Sequence, residues 1–351
     1  MGDDLLQLAL VIEDDDILLL SAVLLEEEED IHDLDKVTCR FDLASTSEEM
    51  CWKHFRFKKE HIIVLKNSLG IPDVIKLDNR SEFSGVDGIC VLLKRLAYPC
   101  RLVELSCFFG RSCSDISRVI TFLVTYIHDR FGDLLNNLDR PYLSTGNLSI
   151  FAEAIKNKGC PLDKCWGFID GTIMPICRPK ENQRQVYSGH KRVHCLKFQS
   201  LMAPNGIIYS LMGPFEGKRH DAGIFHETKL IEQLERKRSA DGSPFYIYGD
   251  SAYPINAFVM TPYKGANVSQ EQRMFNTVLS SQRICVEWGF ADISKTFAFL
   301  DFKKNLKLNL QPVGLLFKVG AILTNCRACL YGNQTSEYFG LLPPSLEQYL
   351  S

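Results

Sequence analysis

Two short apolar segments of the chain each end at an aspartate that stands beside a glycine. Residues 166–169 are followed by Asp170 and a glycine, and residues 245–248 are followed by a glycine and Asp250. Short apolar runs bounded by glycine are typical of buried strands, and glycine permits the close approach of a ligand. The pattern predicts a sheet in which two buried strands each deliver a carboxylate to an exposed strand end.

Further strands and helices follow in an order that favours one fold class. Strands are predicted at residues 194–201 and 207–211, joined by a Pro-Asn-Gly turn, and a single helix is predicted at residues 222–237. More helices begin at Glu271. This order predicts an α/β (α+β) chain with a ribonuclease H-like mixed sheet flanked by helices.

The N-terminal half is predicted to be helical. Apolar residues recur at helical spacing over residues 86–98 and 101–109, and Ser112 or Ser114 caps a third helix. Two helices around a glycine-containing turn are typical of a helix-turn-helix, whose second helix would carry Arg118 into a DNA groove. An ordinary helical bundle explains the same pattern, because few basic residues mark the second helix.

Charge divides the chain into unequal parts. Residues 1–35 contain thirteen Asp or Glu and no Lys or Arg, whereas the remainder carries 40 basic and 30 acidic residues, a net charge of +10. A positive remainder suits a polyanionic partner, which the acidic arm could mask. We predict an acidic, flexible arm (1–35), a helical domain with the helix-turn-helix-like segment (36–145), a sheet-containing domain (150–335) and a C-terminal tail (336–351).

Neither a membrane segment nor a disulfide framework is predicted. Acidic runs interrupt the apolar residues of the arm before they reach the roughly 20 residues that span a bilayer. No basic start precedes the first apolar run, as a secretory signal requires, so the 13 cysteines are expected to be reduced. The closest pair, Cys326 and Cys329, lacks the second pair of a zinc finger.

A third acidic residue completes a set that suits metal-dependent chemistry. Glu287 stands in a helical segment, and Arg283, four residues earlier, shares its helix face, where it could orient Glu287 or contact a phosphate. Converging carboxylates repel one another unless divalent cations lie between them, and oxygen ligands select Mg²⁺ or Mn²⁺. Two such ions could activate a water or a DNA 3′-hydroxyl for displacement at phosphorus. The predicted catalytic residues and metal ligands are therefore Asp170, Asp250 and Glu287.

Asp221 is a rival metal ligand, and basic side chains surround the acids. Asp221 could bind metal as an additional acid, cap the helix that follows it, or support the site from behind. The cationic surround favours phosphate over sugar and argues against a glycosidase. The candidate DNA-binding residues are Lys191, Arg192, Lys218, Arg219, His220 and Arg283, with Arg118 upstream.

Several segments together resemble the PIF/Harbinger transposases and their domesticated nuclease relatives. They are residues 166–172, 187–192, 217–223, 249–254 and 286–290, with residues 92–101 similar to the family's upstream helical region. The resemblance covers about residues 80–332. One segment departs from the pattern: Trp288 and residues 290–293 stand where the family commonly has a basic residue after the Glu and a Gly-x-Leu-Lys-like turn. Nearby lysines that could replace these contacts are Lys295, Lys303, Lys304 and Lys307.

The resemblance implies an activity, a location and partners. It implies an Asp-Asp-Glu triad on Asp170, Asp250 and Glu287, acting in Mg²⁺-dependent cleavage and strand transfer at terminal inverted repeats, with short AT-rich targets. It also implies work in the nucleus, with a cytoplasmic pool and import that depends on a Myb/SANT-like protein, which would also recognise the DNA ends. Because transposition needs paired ends, a homodimer is expected.

Two alternatives to an active transposase stay open at this point. A domesticated, catalytically idle relative would serve as a DNA- or protein-binding adaptor. A hydrolase of small phosphoesters would keep the metal site but would need no helical DNA-binding module. The intact acids favour activity.

Overall fold

The computed structural model describes residues 40–265, 267–308 and 310–351, which form two compact units. The first unit comprises residues 40–132, 175–184 and 293–320, and the second comprises residues 133–174, 185–292 and 321–351. The acidic arm predicted for residues 1–35 lies outside the described residues.

The first unit is built around one buried helix. Its elements in chain order are α1 (Glu48–Phe55), α2 (Lys59–Ser68), β1 (Val74–Lys76), β2 (Glu82–Ser84), α3 (Gly85–Ala97), α4 (Leu102–Phe109) and α5 (Cys113–Phe131). Helix α3 packs against α1, α2 and α5, and its residues 89–93 are fully buried. The three helices predicted in this part of the chain are confirmed, and the cap of α5 is Ser112, whose hydroxyl accepts the Asp115 N–H at 3.0 Å.

Two later segments of the chain belong to the first unit, although the sequence predicted its end at residue 145. The Cys177 N–H donates to the Leu306 carbonyl at 2.9 Å. The Arg95 guanidinium, on α3, lies 4.3 Å from the centre of the Phe299 ring. These contacts join residues far apart in sequence, which is why no local pattern predicted them.

The first turn of α5 is engaged by the loop between β1 and β2. The Asp115 carboxylate accepts from the Asn79 amide at 2.7 Å and from the Ser81 hydroxyl at 2.8 Å. In a helix-turn-helix the N-terminal residues of the second helix are the ones that read base edges. Since this turn also presents a carboxylate, the contact favours the helical-bundle interpretation of α4 and α5.

The other elements belong wholly or in part to the second unit. They are α6 (Thr145–Asn157), β3 (Cys165–Pro175), α7 (Gln183–Val186), β4 (Tyr187–Ser188), β5 (Val193–Met202), β6 (Ile208–Glu216), α8 (Asp221–Glu227), α9 (Leu230–Glu235), β7 (Tyr246–Tyr248), β8 (Val259–Met260), α10 (Gln270–Thr296), α11 (Val313–Tyr331), α12 (Gln334–Phe339) and α13 (Leu346–Leu350).

These strands form a mixed sheet with helices packed on it. The strand order is β4–β5–β3–β7–β8, and β6 also pairs with β5. β3 and β8 run parallel to β7, whereas β4 and β6 run antiparallel to β5. Buried residues of β3 and β7 share one apolar cluster with α6, α10 and α12, among them Ile155, Phe168, Tyr248, Val286 and Phe339. The predicted fold class, a mixed sheet flanked by helices, is confirmed.

Two local predictions were wrong in extent. β3 continues past Asp170 to Pro175 instead of ending at residue 169. The helix predicted at 222–237 is two helices, because Thr228 is extended and its hydroxyl bonds to the Gln199 side chain at 3.1 Å. Residues 336–351, predicted as a C-terminal tail, contain most of α12 and all of α13, where Tyr349 is fully buried.

Among the described residues, one helix passes a length and composition test for a membrane span. It is α11, with 19 residues, and 83% of its most apolar stretch is buried in the protein. Core helices of folded domains pass the same test, so this helix is only a weak sign of a membrane.

Candidate active site

The parallel pairing of β3 and β7 places two of the predicted acids side by side. Phe168 is paired with Tyr248, and Asp170 and Asp250 each lie two residues further along the chain. Equal offsets from a paired position bring both carboxylates to the same edge of the sheet. The register, rather than the end of β3, therefore accounts for their proximity.

Glycine beside Asp250 is required by close packing. A Cβ at Gly249 would lie 2.8 Å from the Tyr253 ring and 2.9 Å from a methyl group of Ile169. Both neighbours are buried. Only glycine lets β7 approach β3 closely enough at this point to hold the two acids together.

Asp221 reaches the same place from a different element. Its carboxylate lies 3.3 Å from the Lys197 ammonium, on β5, and a Cβ at Gly171 would lie 3.1 Å from it. The proposed role of Asp221 as a helix cap is wrong, because the N-cap of α8 is His220 and Asp221 is the first helical residue. The Asp221 carboxylate therefore does not cap the helix and lies close to Gly171 of β3.

The loop that precedes Asp221 is fixed by Gly217. A Cβ at this glycine would lie 2.3 Å from the Val186 carbonyl oxygen and 2.6 Å from that of Cys195. Backbone atoms cannot move aside as a flexible side chain can. The close packing of the chain just before Asp221 therefore requires glycine at position 217.

Helix α10 contributes Glu287 and Arg283, one turn apart. Arg283 forms an ion pair with Asp170 through Nη1, while its Nη2 lies 4.0 Å from Glu287 Oε1. Glu287 is largely exposed, with 59% of its side chain accessible, whereas Asp170 is 17% accessible. The principal partner of Arg283 is therefore the strand acid, not the helix acid that sequence spacing had suggested.

All four acids line one cavity of about 460 Å³. Its lining residues are Asp170, Gly171, Thr172, Ile173, Ser188, His190, Lys191, Lys197, Asp221, Asp250, Arg283, Glu287 and Phe290.

The electrostatics of the cavity reflect crowded carboxylates. Burial raises the pKa of Asp170, an effect that Arg283 opposes and that the charge of Asp250 reinforces. Burial also raises the pKa of Tyr253, and the charges of Asp170, Asp221 and Asp250 raise it further. One buried hydroxyl thus lies within the field of three acids. A positive charge added to such a site lowers the repulsion between the carboxylates and so stabilises their ionised forms.

The acids have the oxygen ligands that a divalent metal prefers, but they are not spaced as a metal site. No three His, Cys, Asp or Glu side chains are grouped tightly enough to hold a metal ion, within the residues described. Four carboxylates lining one cavity are nevertheless the oxygen donors that Mg²⁺ and Mn²⁺ prefer. Two of them are instead paired with the side chains of Arg283 and Lys197.

The basic candidates divide into three groups. Lys191 lines the cavity, as does its neighbour His190, while Arg192 beside them is exposed. Lys218 lies 3.2 Å from Glu216, and Arg219 forms an ion pair with Glu227, so carboxylates already offset both charges. Arg118 belongs to the first unit.

Two residues of the site were missed in the sequence. Lys197 stands within β5 with 15% of its side chain accessible, and its ammonium also donates to the Arg219 carbonyl at 2.5 Å. Tyr253 is buried three residues after Asp250. A lysine between the apolar residues Leu196 and Phe198 of a strand was the available signal for the first. Nothing in the sequence marks the second as different from a core tyrosine.

Comparisons with known proteins bear on this site directly. The family model of the DDE superfamily endonucleases matches residues 169–325, which include all four acids. Protein ALP1-like from Arabidopsis thaliana is 23% identical over 209 residues, 56% of this chain and 50% of that protein. A probable transposase for insertion sequence element IS702 from Microchaete diplosiphon is 29% identical over 128 residues, 34% of this chain and 42% of that protein.

The chain spans about half the length of the curated relatives it matches. No solved structure matches it at a significant level. Together with the mixed sheet and the shared cavity of acids, the matched segment and both relatives support a DDE transposase-derived nuclease family for this chain.

Proposed function

We propose that the chain is a DNA transposase or endonuclease that cleaves, and transfers strands at, the terminal inverted repeats of a mobile element. The observation that supports this most is that Asp170, Asp221, Asp250 and Glu287 line one cavity inside the segment that matches DDE endonucleases. A family of this kind acts on DNA and generally uses divalent metals.

Mg²⁺ or Mn²⁺ is the proposed cofactor, in a two-metal site. Asp170, Asp250 and Glu287 would hold it, with Asp221 as the additional acid. When bound, such ions activate the attacking oxygen and stabilise the leaving oxygen in displacement at phosphorus. Lys191, at the rim of the cavity, would bind the phosphate that enters.

The packing of α5 and the resemblance to PIF/Harbinger transposases are the support for the proposed partners. Because the first turn of α5 is engaged within its own unit, DNA-end recognition is assigned to a separate Myb/SANT-like protein. That partner would also bring the chain into the nucleus from a cytoplasmic pool. A homodimer would hold two terminal repeats, with insertion at AT-rich targets.

One observation favours a second candidate, a catalytically idle adaptor that binds DNA or protein. The acids are not grouped as a metal site in the described residues, and Arg283 is paired with Asp170. An idle relative could retain this arrangement permanently.

Nicking of supercoiled plasmid DNA in Mg²⁺ or Mn²⁺ tests the proposal. The variants Asp170→Asn, Asp250→Asn and Glu287→Gln should each lose at least about a hundredfold in rate, more than the loss usual for residues that only support metal ligands. Asp163→Asn is the matched control, because Asp163 is an exposed acid of the same unit that pairs with Lys156. Cutting that persists in all three variants would show that the triad is wrong.

The same nicking assay on Asp221→Asn and on the wild type tests whether Asp221 is essential and whether the chain is active at all. Loss of cutting in a folded Asp221→Asn variant would make Asp221 a fourth essential acid. Wild-type protein that binds the plasmid but never nicks it, alone or with a Myb/SANT-like partner, would favour the adaptor.

A further inference from the structure

The Arg283 guanidinium lies between two of the acids assigned to the metal. Nη1 is ion-paired with Asp170 on the strand side, and Nη2 lies 4.0 Å from Glu287 on its own helix. The side chain is itself only 20% accessible. Arg283 therefore occupies the position of a cation between the β3 acid and the α10 acid.

The surroundings of Asp170 explain why a cation belongs there. Asp170 is mostly buried beside Asp250, so its ionised form is disfavoured by lost hydration and by a like charge. An arginine stays charged at any physiological pH and can donate two hydrogen bonds in a fixed geometry. In this structure it supplies the positive charge that the carboxylates require.

A divalent ion and Arg283 cannot both hold this place. An ion bound by Asp170 and Glu287 would need carboxylate oxygens that the guanidinium now faces, and the two positive charges would repel each other. Arg283 must therefore turn away when metal binds. A backbone phosphate entering the cavity beside Lys191 offers it a new anionic partner.

We propose that Arg283 is a built-in counter-ion of the acid cavity that competes with the divalent metal for Asp170 and is released when DNA phosphate accepts it. This inference rests on the proposed function and adds a regulatory step to the same site. It couples metal loading to DNA binding, and such coupling is reciprocal: each ligand strengthens the binding of the other. The ion-paired arrangement would then be a resting state and not a permanent loss of activity.

Calorimetric titration of the full chain with Mn²⁺ measures the competition without any DNA cleavage. Arg283→Gln should lower the Kd for Mn²⁺ by about tenfold, equivalent to about 1.4 kcal/mol. Arg283→Lys retains a positive charge and should stay close to the wild type. Arg273→Gln is the matched control, since it removes one charge from an exposed position on the same helix and should leave the Kd unchanged.

Two outcomes of this titration would overturn the proposal. If Arg283→Gln binds Mn²⁺ no more tightly than the wild type while circular dichroism shows it folded, the ion pair is only a structural contact. If Arg273→Gln gains as much as Arg283→Gln, the effect is one of general charge. Asp170→Asn should remove most of the Mn²⁺ heat, which confirms that the titration reports this site.

A second titration tests the release by DNA. A duplex oligonucleotide with non-cleavable phosphorothioate linkages should lower the Mn²⁺ Kd of the wild type by about tenfold and that of Arg283→Gln far less. Equal shifts in both proteins would contradict the release step. Failure of plasmid nicking with these shifts present would overturn the proposed activity but not the counter-ion, so the two failures are distinguishable.

Discussion

At the scale of single residues, this protein places several charges where water is scarce. Asp170 and Lys197 both line the acid cavity. The charge of Asp170 is offset by Arg283, and that of Lys197 by Asp221. Lys318, in the part of α11 that belongs to the first unit, has 6% of its surface accessible. A buried charge carries a desolvation cost that a partner must offset. Charges of this kind are where substitutions have the largest and most pH-dependent effects.

Lys318→Met should stabilise the protein at neutral pH. Burial lowers the pKa of Lys318 to about 8 from its ordinary value of 10.5, so the unfolded chain binds more protons between these two values. Wild-type stability therefore rises as pH increases from about 8 to about 10.5, and below pH 8 the full cost, about 3 kcal/mol, is present. Urea unfolding should show a gain of up to that size at pH 7.

The gain should shrink as pH approaches 10.5, because folded Lys318 is then neutral and the unfolded lysine is losing its proton as well. Lys303→Met, at an exposed position, should give little change at either pH. A gain in Lys318→Met that is the same at pH 7 and pH 10 would contradict the burial of a charged lysine.

Two glycines of the 217–223 segment should respond oppositely to alanine. Gly217→Ala places a Cβ against two backbone carbonyls, so we expect a loss of about 1–3 kcal/mol in the free energy of unfolding. Gly223→Ala has open space within α8 and should gain up to about 1 kcal/mol from helix propensity. Chemical unfolding curves of both variants decide this, and a loss at Gly223 or none at Gly217 would contradict the packing described.

At the scale of elements, strand register and contacts at the sheet edge bring together residues that local propensity cannot relate. The pairing of Phe168 with Tyr248 brings Asp170 and Asp250 together, although 80 residues separate them. The start of β6 is held by a side chain, because Asn325 on α11 accepts from the Ile208 N–H at 3.0 Å and donates to its carbonyl at 2.8 Å. A helix residue here substitutes for a neighbouring strand.

Asn325→Leu should therefore destabilise the sheet. The substitution leaves the buried N–H and carbonyl of Ile208 without these partners, at a cost of about 1–3 kcal/mol for each unsatisfied group. Tyr349→Phe is the comparison, since it removes only the hydroxyl that lies 3.0 Å from the Asn325 amide. Thermal unfolding should show the larger loss for Asn325→Leu, and equal losses would contradict this role.

At the scale of the whole molecule, charge is distributed unevenly along the chain. The 35 N-terminal residues carry thirteen of the 43 acids, so their removal changes the net charge from -3 to +10. A change of that size alters the attraction of a protein for DNA at low ionic strength, where screening is weak.

Deletion of residues 1–35 should strengthen binding to duplex DNA, with a lower Kd at 50 mM salt and a smaller difference at 200 mM. Fluorescence anisotropy with a labelled duplex measures both. A chain with the arm's residues in scrambled order keeps the charge and should bind like the wild type if charge alone acts. An unchanged Kd on deletion would reduce the arm to a solubilising segment.

The sequence by itself determined the types of element and the identity of the acids. Apolar runs of strand length, helical periodicity and glycines beside Asp170 and Asp250 are local signals, and local signals survive in a single sequence. They predicted the mixed sheet, the helices α3, α4 and α5, and three acids that do line one cavity. Their catalytic roles stay a prediction until variants are assayed.

Only the tertiary structure decided how these parts meet. The principal partner of Arg283 is Asp170, 113 residues away, while Glu287, one turn along the helix, lies 4.0 Å from it. The lysine that pairs with Asp221, the assignment of residues 293–320 to the first unit and the burial of Tyr349 are likewise set by contacts between distant segments. Such contacts depend on strand register and packing, which are properties of the whole core. The residues that make these contacts therefore carry no local sequence signal for them.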